Sequence, residues 1–204
     1  MLDFLYTCLT LDPVAILTAG GFFALLAIVF MESGLLIGLF LPGDSLLFAA
    51  GLLAAHGTFD ITLTILGVIL AAILGDNAGY WFGKNVGSRV FVRPTSHLFK
   101  KEHVIKAERF YERYGARAIV LARFVPIVRT LAPILAGIAK MEYEKFLAYN
   151  AIGAILWATS MISLGYYLGK FVPEIVQYIL PVSVIIIVIS FFPLILNVIR
   201  GKRL

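Results

Sequence analysis

The sequence predicts an all-α polytopic membrane protein containing an inverted repeat: a re-entrant helical hairpin plus a transmembrane helix, twice over, joined by an amphipathic cytoplasmic helix. Three observations predict it. Of 204 residues, 61% are apolar and 14% charged, where soluble domains carry about a quarter charged residues. Several apolar runs approach the length that crosses a bilayer. Two of those runs are broken by proline beside charged residues, and the surrounding segments resemble each other at a fixed offset.

Residues 14–31 form the first apolar run of spanning length, within an N-terminal segment 1–31. No Lys or Arg precedes that run, so the basic region of a cleavable signal is missing and the run is expected to stay as an anchor. Repeat 1 covers 32–84. Its first part, Glu32 to Ala55, is interrupted at Leu41-Pro42-Gly43-Asp44-Ser45, where Pro42 and Gly43 both oppose a continuous helix. Asp44 and Ser45 are good caps for a helix that follows. The expectation is a helix–break–helix hairpin with arms too short to span alone. Residues 61–82 then make a full span, with Tyr80 and Trp81 as interfacial aromatics at its end.

Residues 85–117 are a basic connection. Within it, 100–114 sets Val104, Ile105, Ala107, Phe110, Tyr111 and Tyr114 among charges at roughly helical spacing, which predicts an amphipathic helix on the cytoplasmic surface. Repeat 2 covers 118–170: a second hairpin broken at Pro126 and Pro133, then a span centred on 146–168. Residues 178–199 are the last span, and the whole is expected to be one membrane domain. The repeat itself is visible at an offset of 86. Residues 67–84 match 153–170 at eight of 18 positions, including a shared Gly-Tyr-x-x-Gly-Lys, and Ala50-Gly51 pairs with Ala136-Gly137. Repeats of this kind mark transporters.

Orientation follows from charge. Nine of the 17 basic residues lie in 84–117, and Arg200, Lys202 and Arg203 close the chain, so both regions are expected to be cytoplasmic. The first hairpin then enters from outside and the second from the cytoplasm, although Lys170 falls outside against the charge rule. A basic patch between apolar spans fits anionic lipid headgroups, and no nucleic-acid partner is expected. The sequence leaves the oligomeric state open.

The chemistry is expected at Arg123 and Arg129. An arginine at the centre of a spanning helix costs about 2.5–3.5 kcal/mol. Broken helix at that depth is tolerated where protein or water surrounds it. Six residues apart on a straight helix, the two would point about 120° away from each other; a break at Pro126 lets them converge. Two guanidinium forks suit a phosphate ester better than a carboxylate. The alternative is that they snorkel as anchors from a short helix end. Glu32 and Asp44 are the expected acids: either interfacial end and cap, or proton-exchanging partners of the arginines. Asp76, Asn77, Ser45 and Thr130 are further candidates, with a polar helix end as the alternative for the first two. Asn150 is expected to pack between helices.

His56, His97 and His103 fall in predicted loops or surface segments, and no phosphate-binding Gly-rich loop occurs. The lone Cys8 excludes an internal disulfide and a cysteine metal site. Neither an enzyme, a metal nor a cofactor is expected.

Taken together, Glu32, then Phe40-Leu41-Pro42-Gly43-Asp44-Ser45-Leu46-Leu47, Gly79-Tyr80-x-x-Gly83-Lys84, and Ala122-Arg123-Phe124-x-Pro126-x-x-Arg129-Thr130-Leu131-x-Pro133-x-x-Ala136-Gly137 resemble the DedA (SNARE-associated, VTT-domain) membrane proteins. The resemblance covers roughly 30–170. It implies a multi-pass inner-membrane protein with paired re-entrant hairpins. Bacterial members are implicated in returning the lipid carrier undecaprenyl phosphate across the membrane, others in phospholipid scrambling or proton-dependent envelope maintenance. By similarity the family's acid pair falls on Glu32 and Asp44, and its arginine pair on Arg123 and Arg129. The expected function is a flippase for a polyprenyl phosphate or related anionic lipid, coupled to protons in one version. The alternatives are a small-solute or drug/proton antiporter, and a structural membrane protein whose buried charges lock its hairpins.

Overall fold

The structure, a computed structural model, describes residues 13–35, 43–87, 115 and 117–172. Pro42, the connection helix at 100–114, His97, His103 and the last span at 178–199 lie outside the described residues. Among the described residues, six α-helices follow in order: α1 Pro13–Gly34, α2 Gly43–Ala55, α3 Ile61–Phe82, α4 Arg117–Ala122, α5 Pro126–Ile138 and α6 Tyr143–Phe171. A π-helical turn, Gly83–Gly87, extends α3. No strand occurs among the described residues.

Among the described residues, three helices are long and apolar enough to cross a membrane: α1, α3 with its extension to Asn85, and α6. On α3, Leu63, Leu66, Leu70 and Leu74 are left exposed on one stripe. An outward apolar stripe on a span is what lipid contact requires. Asp60 starts this helix, its carboxylate accepting from the Leu63 N–H at 2.8 Å. The first helix is bent at Gly21 (φ 64°, ψ −160°), a backbone conformation open to glycine. It runs on past Met31 to Gly34, so Glu32 stands in its last turn and not at the start of a separate hairpin arm. Neutralisation by an arginine, described below, explains why a carboxylate does not end it.

The chain forms two compact units. Of the described residues, one holds 13–26, 43–66 and 158–172; the other holds 27–35, 67–87, 115 and 117–157. In the first, the 13-residue α2 packs on the second half of α6. A β-carbon on Gly51 would collide with the Ile162 carbonyl, and one on Gly165 with the Phe48 carbonyl. Small residues thus let the two backbones touch, as in close helix pairs within membranes. Phe48 and Leu52 bury themselves beside Val14 and Leu168. α2 ends in a Schellman turn: Gly57, at φ 81°, donates to Ala54, and Thr58 donates to Leu53.

In the second unit, α5 packs on the end of α3 in the same manner. A β-carbon on Gly137 would strike the Tyr80 carbonyl, and one on Gly83 the Ile134 carbonyl. Here Tyr80 is fully buried, stacked on Phe146 at 4.6 Å between ring centroids, and its hydroxyl donates to the Met141 carbonyl at 2.5 Å. Tyr80 is therefore a core residue and not an interfacial aromatic; the packing of α5 and α6 over the end of α3 covers it. Trp81 remains exposed, and Tyr166 is half-buried. α5 also ends in a Schellman turn, Lys140 donating to Gly137 and Met141 to Ala136, but with Lys140 itself at φ 51°.

Candidate functional site

Proline builds the break that carries the arginines. The residue before a proline is pushed out of the helical region, and Val125 is extended (φ −120°, ψ 106°). Helix α4 accordingly stops at Ala122 and tightens: Arg123, Phe124 and Val125 each donate to the carbonyl three residues back. Pro126 opens α5 at a position where its missing N–H costs nothing. Arg123 thus sits in the tightened turn and Arg129 in the first turn of α5. Pro133 lies within α5, which continues past it to Ile138.

Both arginines point into the protein. Among the described residues the buried charged groups are Glu32, Asp76, Arg123 and Arg129, each between 2 and 4% exposed. All four belong to the second unit. They are matched two and two. Arg129 Nη2 donates to Glu32 Oε1, and Arg123 Nη2 donates to Asp76 Oδ2. The crossing of α1 on α3 sets this up: a β-carbon on Gly34 would fall 2.5 Å from the Gly75 carbonyl oxygen, one residue before Asp76. Only bare backbones allow that approach.

The first half of α6 supplies the rest. Asn150 Oδ1 accepts from Arg123 Nη2 at 2.5 Å, and its amide donates to the Ile73 carbonyl at 3.5 Å. Asn150 therefore packs between helices as expected, and also holds a guanidinium. One turn on, a β-carbon at Gly153 would come within 3.3 Å of Arg123 Nε. One further turn on is Trp157, 1% exposed. Its ring centroid lies 5.7 Å from the Arg123 guanidinium carbon and 4.7 Å from that of Arg129. Positions 150, 153 and 157 share one helical face.

Arg123 Nη1, Asp76 Oδ1 and Asn77 Oδ1 are buried without a hydrogen-bond partner among the described residues. Buried polar atoms are normally satisfied, so these atoms offer donor and acceptor capacity to a ligand, a water or a proton.

The predicted residues are distributed as follows. Glu32, Arg123 and Arg129 come together in the second unit, as does Asp76. Arg123 pairs with Asp76, a secondary candidate in the sequence. Asp44 lies half-buried in the first turn of α2, in the first unit, followed by buried Ser45 and preceded by buried Gly43. Asn77 spends its amide on the Ile73 carbonyl at 2.9 Å. Thr130 is buried beside Arg129 in the chain. Trp157 was missed. The available signal was a tryptophan in the middle of a span, far from the interfaces where tryptophan concentrates.

A family model described as the VTT domain matches residues 41–167. The chain belongs to the VTT-domain (DedA) family. It is 44% identical over 181 residues to Protein DedA of Escherichia coli K12, covering 88% of this chain and 82% of that protein. It is 39% identical over 200 residues to Uncharacterized membrane protein ML0287 of Mycobacterium leprae, covering 95% and 89%. To Inner membrane protein YqjA of Escherichia coli K12 it is 37% identical over 158 residues, covering 77% and 71%. No solved structure matches the chain. This DedA-family chain is a membrane protein, and its buried charge cluster lies within the matched domain apart from Glu32.

Proposed function

We propose that this protein moves an anionic lipid across the cytoplasmic membrane, either a polyprenyl phosphate such as undecaprenyl phosphate or a related phospholipid. One observation carries the proposal: two arginines at a proline-made helix break, buried and held by displaceable carboxylates. A phosphate monoester offers oxygens that a pair of guanidinium forks can grip in place of those carboxylates. Glu32 and Asp76, displaced, take up protons, because an unpaired carboxylate in an apolar site is costly as an anion. When the protons leave, the acids reclaim the arginines and release the lipid. Asp44 is proposed as a further proton-exchanging acid, by resemblance to the family's acid pair.

A lipid is favoured over a small solute by what surrounds the arginines. Leu121, Phe124, Val125 and Val128, in the same segment, are all exposed, so the buried charges sit directly beside an apolar outer surface. The prenyl chain stays in the bilayer, and the protein needs a polar path only as large as the headgroup. No bond is made or broken, and no cofactor is called for. The charge distribution supports a cytoplasmic side for the basic connection and the basic C-terminus.

The test is transfer of undecaprenyl phosphate across the bilayer of liposomes containing the purified protein. Arg123→Lys and Arg129→Lys keep the charge but lose the fork, and are each expected to slow transfer more than tenfold. Lysine variants as fast as wild type would remove the phosphate grip. Glu32→Gln and Asp76→Asn should abolish the response to a pH gradient. Lipid moving no faster than in empty liposomes would end the transport proposal.

A further inference from the structure

We propose that Trp157 is a positioning residue for the anion site: its ring is the shared surface that keeps Arg123 and Arg129 together when their carboxylates let go. This inference deepens the proposed function and rests on the two arginines being the anion site. Two like charges in one apolar interior repel, and the acids that hold them sit on different helices, Glu32 on α1 and Asp76 on α3. When a phosphate displaces those acids, something uncharged must keep both guanidiniums in range of one ligand. Trp157 meets that need. Both guanidinium carbons lie within cation–π distance of the same ring, at 5.7 and 4.7 Å. An aromatic quadrupole attracts cations without taking a proton and without competing as an anion for the site.

The rest of the helical face serves the same end. Asn150 accepts from Arg123, and Gly153 leaves space for its Nε. Trp157 is itself buried in the middle of the 29-residue α6, so interfacial anchoring does not explain it. Arg123 Nη1 remains without a partner among the described residues, so one nitrogen is available while ring and acid hold the others. Two rigid contacts on one planar ring orient the forks before the ligand arrives, which lowers the ordering cost of binding.

The chain contains two tryptophans, and Trp81 is exposed on the outer surface. A Trp81→Phe variant therefore leaves Trp157 as the single reporter, next to the proposed ligand. Titrated in detergent with farnesyl phosphate, it should show a saturable change in tryptophan emission. Farnesol, equally apolar and uncharged, should give none, and adding Arg129→Gln should remove the response. In liposomes, Trp157→Leu should raise the half-saturating concentration of undecaprenyl phosphate by about tenfold or more, the loss of two desolvated cation–π contacts. Trp157→Phe, which keeps a ring, should stay within about threefold.

A silent Trp157 in a protein that transfers lipid normally would overturn this inference and leave the proposed function standing. A saturable phosphate-specific response in a protein that moves no lipid would do the reverse. Equal losses in the Phe and Leu variants would show that side-chain volume, not the aromatic face, is what matters, and would also overturn it. Should Trp157→Leu fail to fold, the emission titration and the Phe variant still decide.

Discussion

The two units of this protein pair a short helix with a long one in the same way and differ in what they bury. In the first, Gly51 and Gly165 bring α2 against α6; in the second, Gly137 and Gly83 bring α5 against α3. The contacts are reciprocal in both. Each glycine meets a carbonyl on the opposite helix, and the contact positions are three residues apart: 48 and 51 with 162 and 165, 134 and 137 with 80 and 83. The short helices correspond at the sequence offset of 86, while the long helices correspond at 82, one helical turn away. Charge separates them. Arg129, five residues before Ile134, corresponds to Gly43, five before Phe48. Asp76, four before Tyr80, corresponds to the fully buried Ala158, four before Ile162. Among the described residues of the first unit, no charged side chain is buried to the degree of those four.

The difference bears directly on the structural alternative. In the first unit glycine contact brings a short helix onto a long one, and no charged side chain among its described residues is buried as deeply as those four. Buried ion pairs are in any case weak contributors to stability compared with apolar packing. The second unit carries two of them on top of the same glycine contact. That surplus is the reason to look for function there.

Several substitutions would break or sharpen the contrast. The largest effects should come from charge. Arg129→Ala removes the guanidinium that pairs with buried Glu32 and should cost about 3–5 kcal/mol in detergent unfolding, with much of the loss recovered by adding Glu32→Gln. Ala158→Asp introduces a buried carboxylate into the first unit, whose described residues include no arginine, and should cost a similar amount, about 3–5 kcal/mol. If Ala158→Asp is tolerated, the asymmetry is incidental.

Glycine comes next, and here the units should behave alike. Gly51→Ala and Gly137→Ala each press a methyl group on a backbone carbonyl and should each cost about 1–3 kcal/mol, read from the thermal unfolding of the two variants side by side. A large effect in one unit only would undo the equivalence. The smallest effect is at the helix ends. The first unit's Schellman turn uses Gly57 and the second uses Lys140. Lys140→Gly relieves a left-handed lysine and should raise stability by up to about 1 kcal/mol, while Gly57→Ala should lower it by about the same. Neither should change lipid transfer.

The amount that could be read in advance follows from how far each feature reaches along the chain. Span lengths, the break at Pro126 and the cost of Arg123 and Arg129 in an apolar window are local properties, set by transfer free energy and backbone sterics. They were legible from neighbouring residues. Asp76 was visible as an acid near the end of a span, but not as the partner of Arg123. Tyr80 carried the composition of an interfacial aromatic and is buried because α5 and α6 cover it. Trp157 and Gly153 had no local mark beyond an unusual depth.

By itself, then, the sequence determined a helical membrane protein, a helix broken just before Pro126, and two arginines that require counter-charges. Only the tertiary structure decided that Arg123 meets Asp76 and Arg129 meets Glu32, that one tryptophan ring lies under both arginines, and that the most deeply buried charges among the described residues fall in one unit. The physical reason is that partners are chosen where helices cross, and the crossings are set by where bare glycine backbones can touch. That is a property of surfaces far apart in the chain.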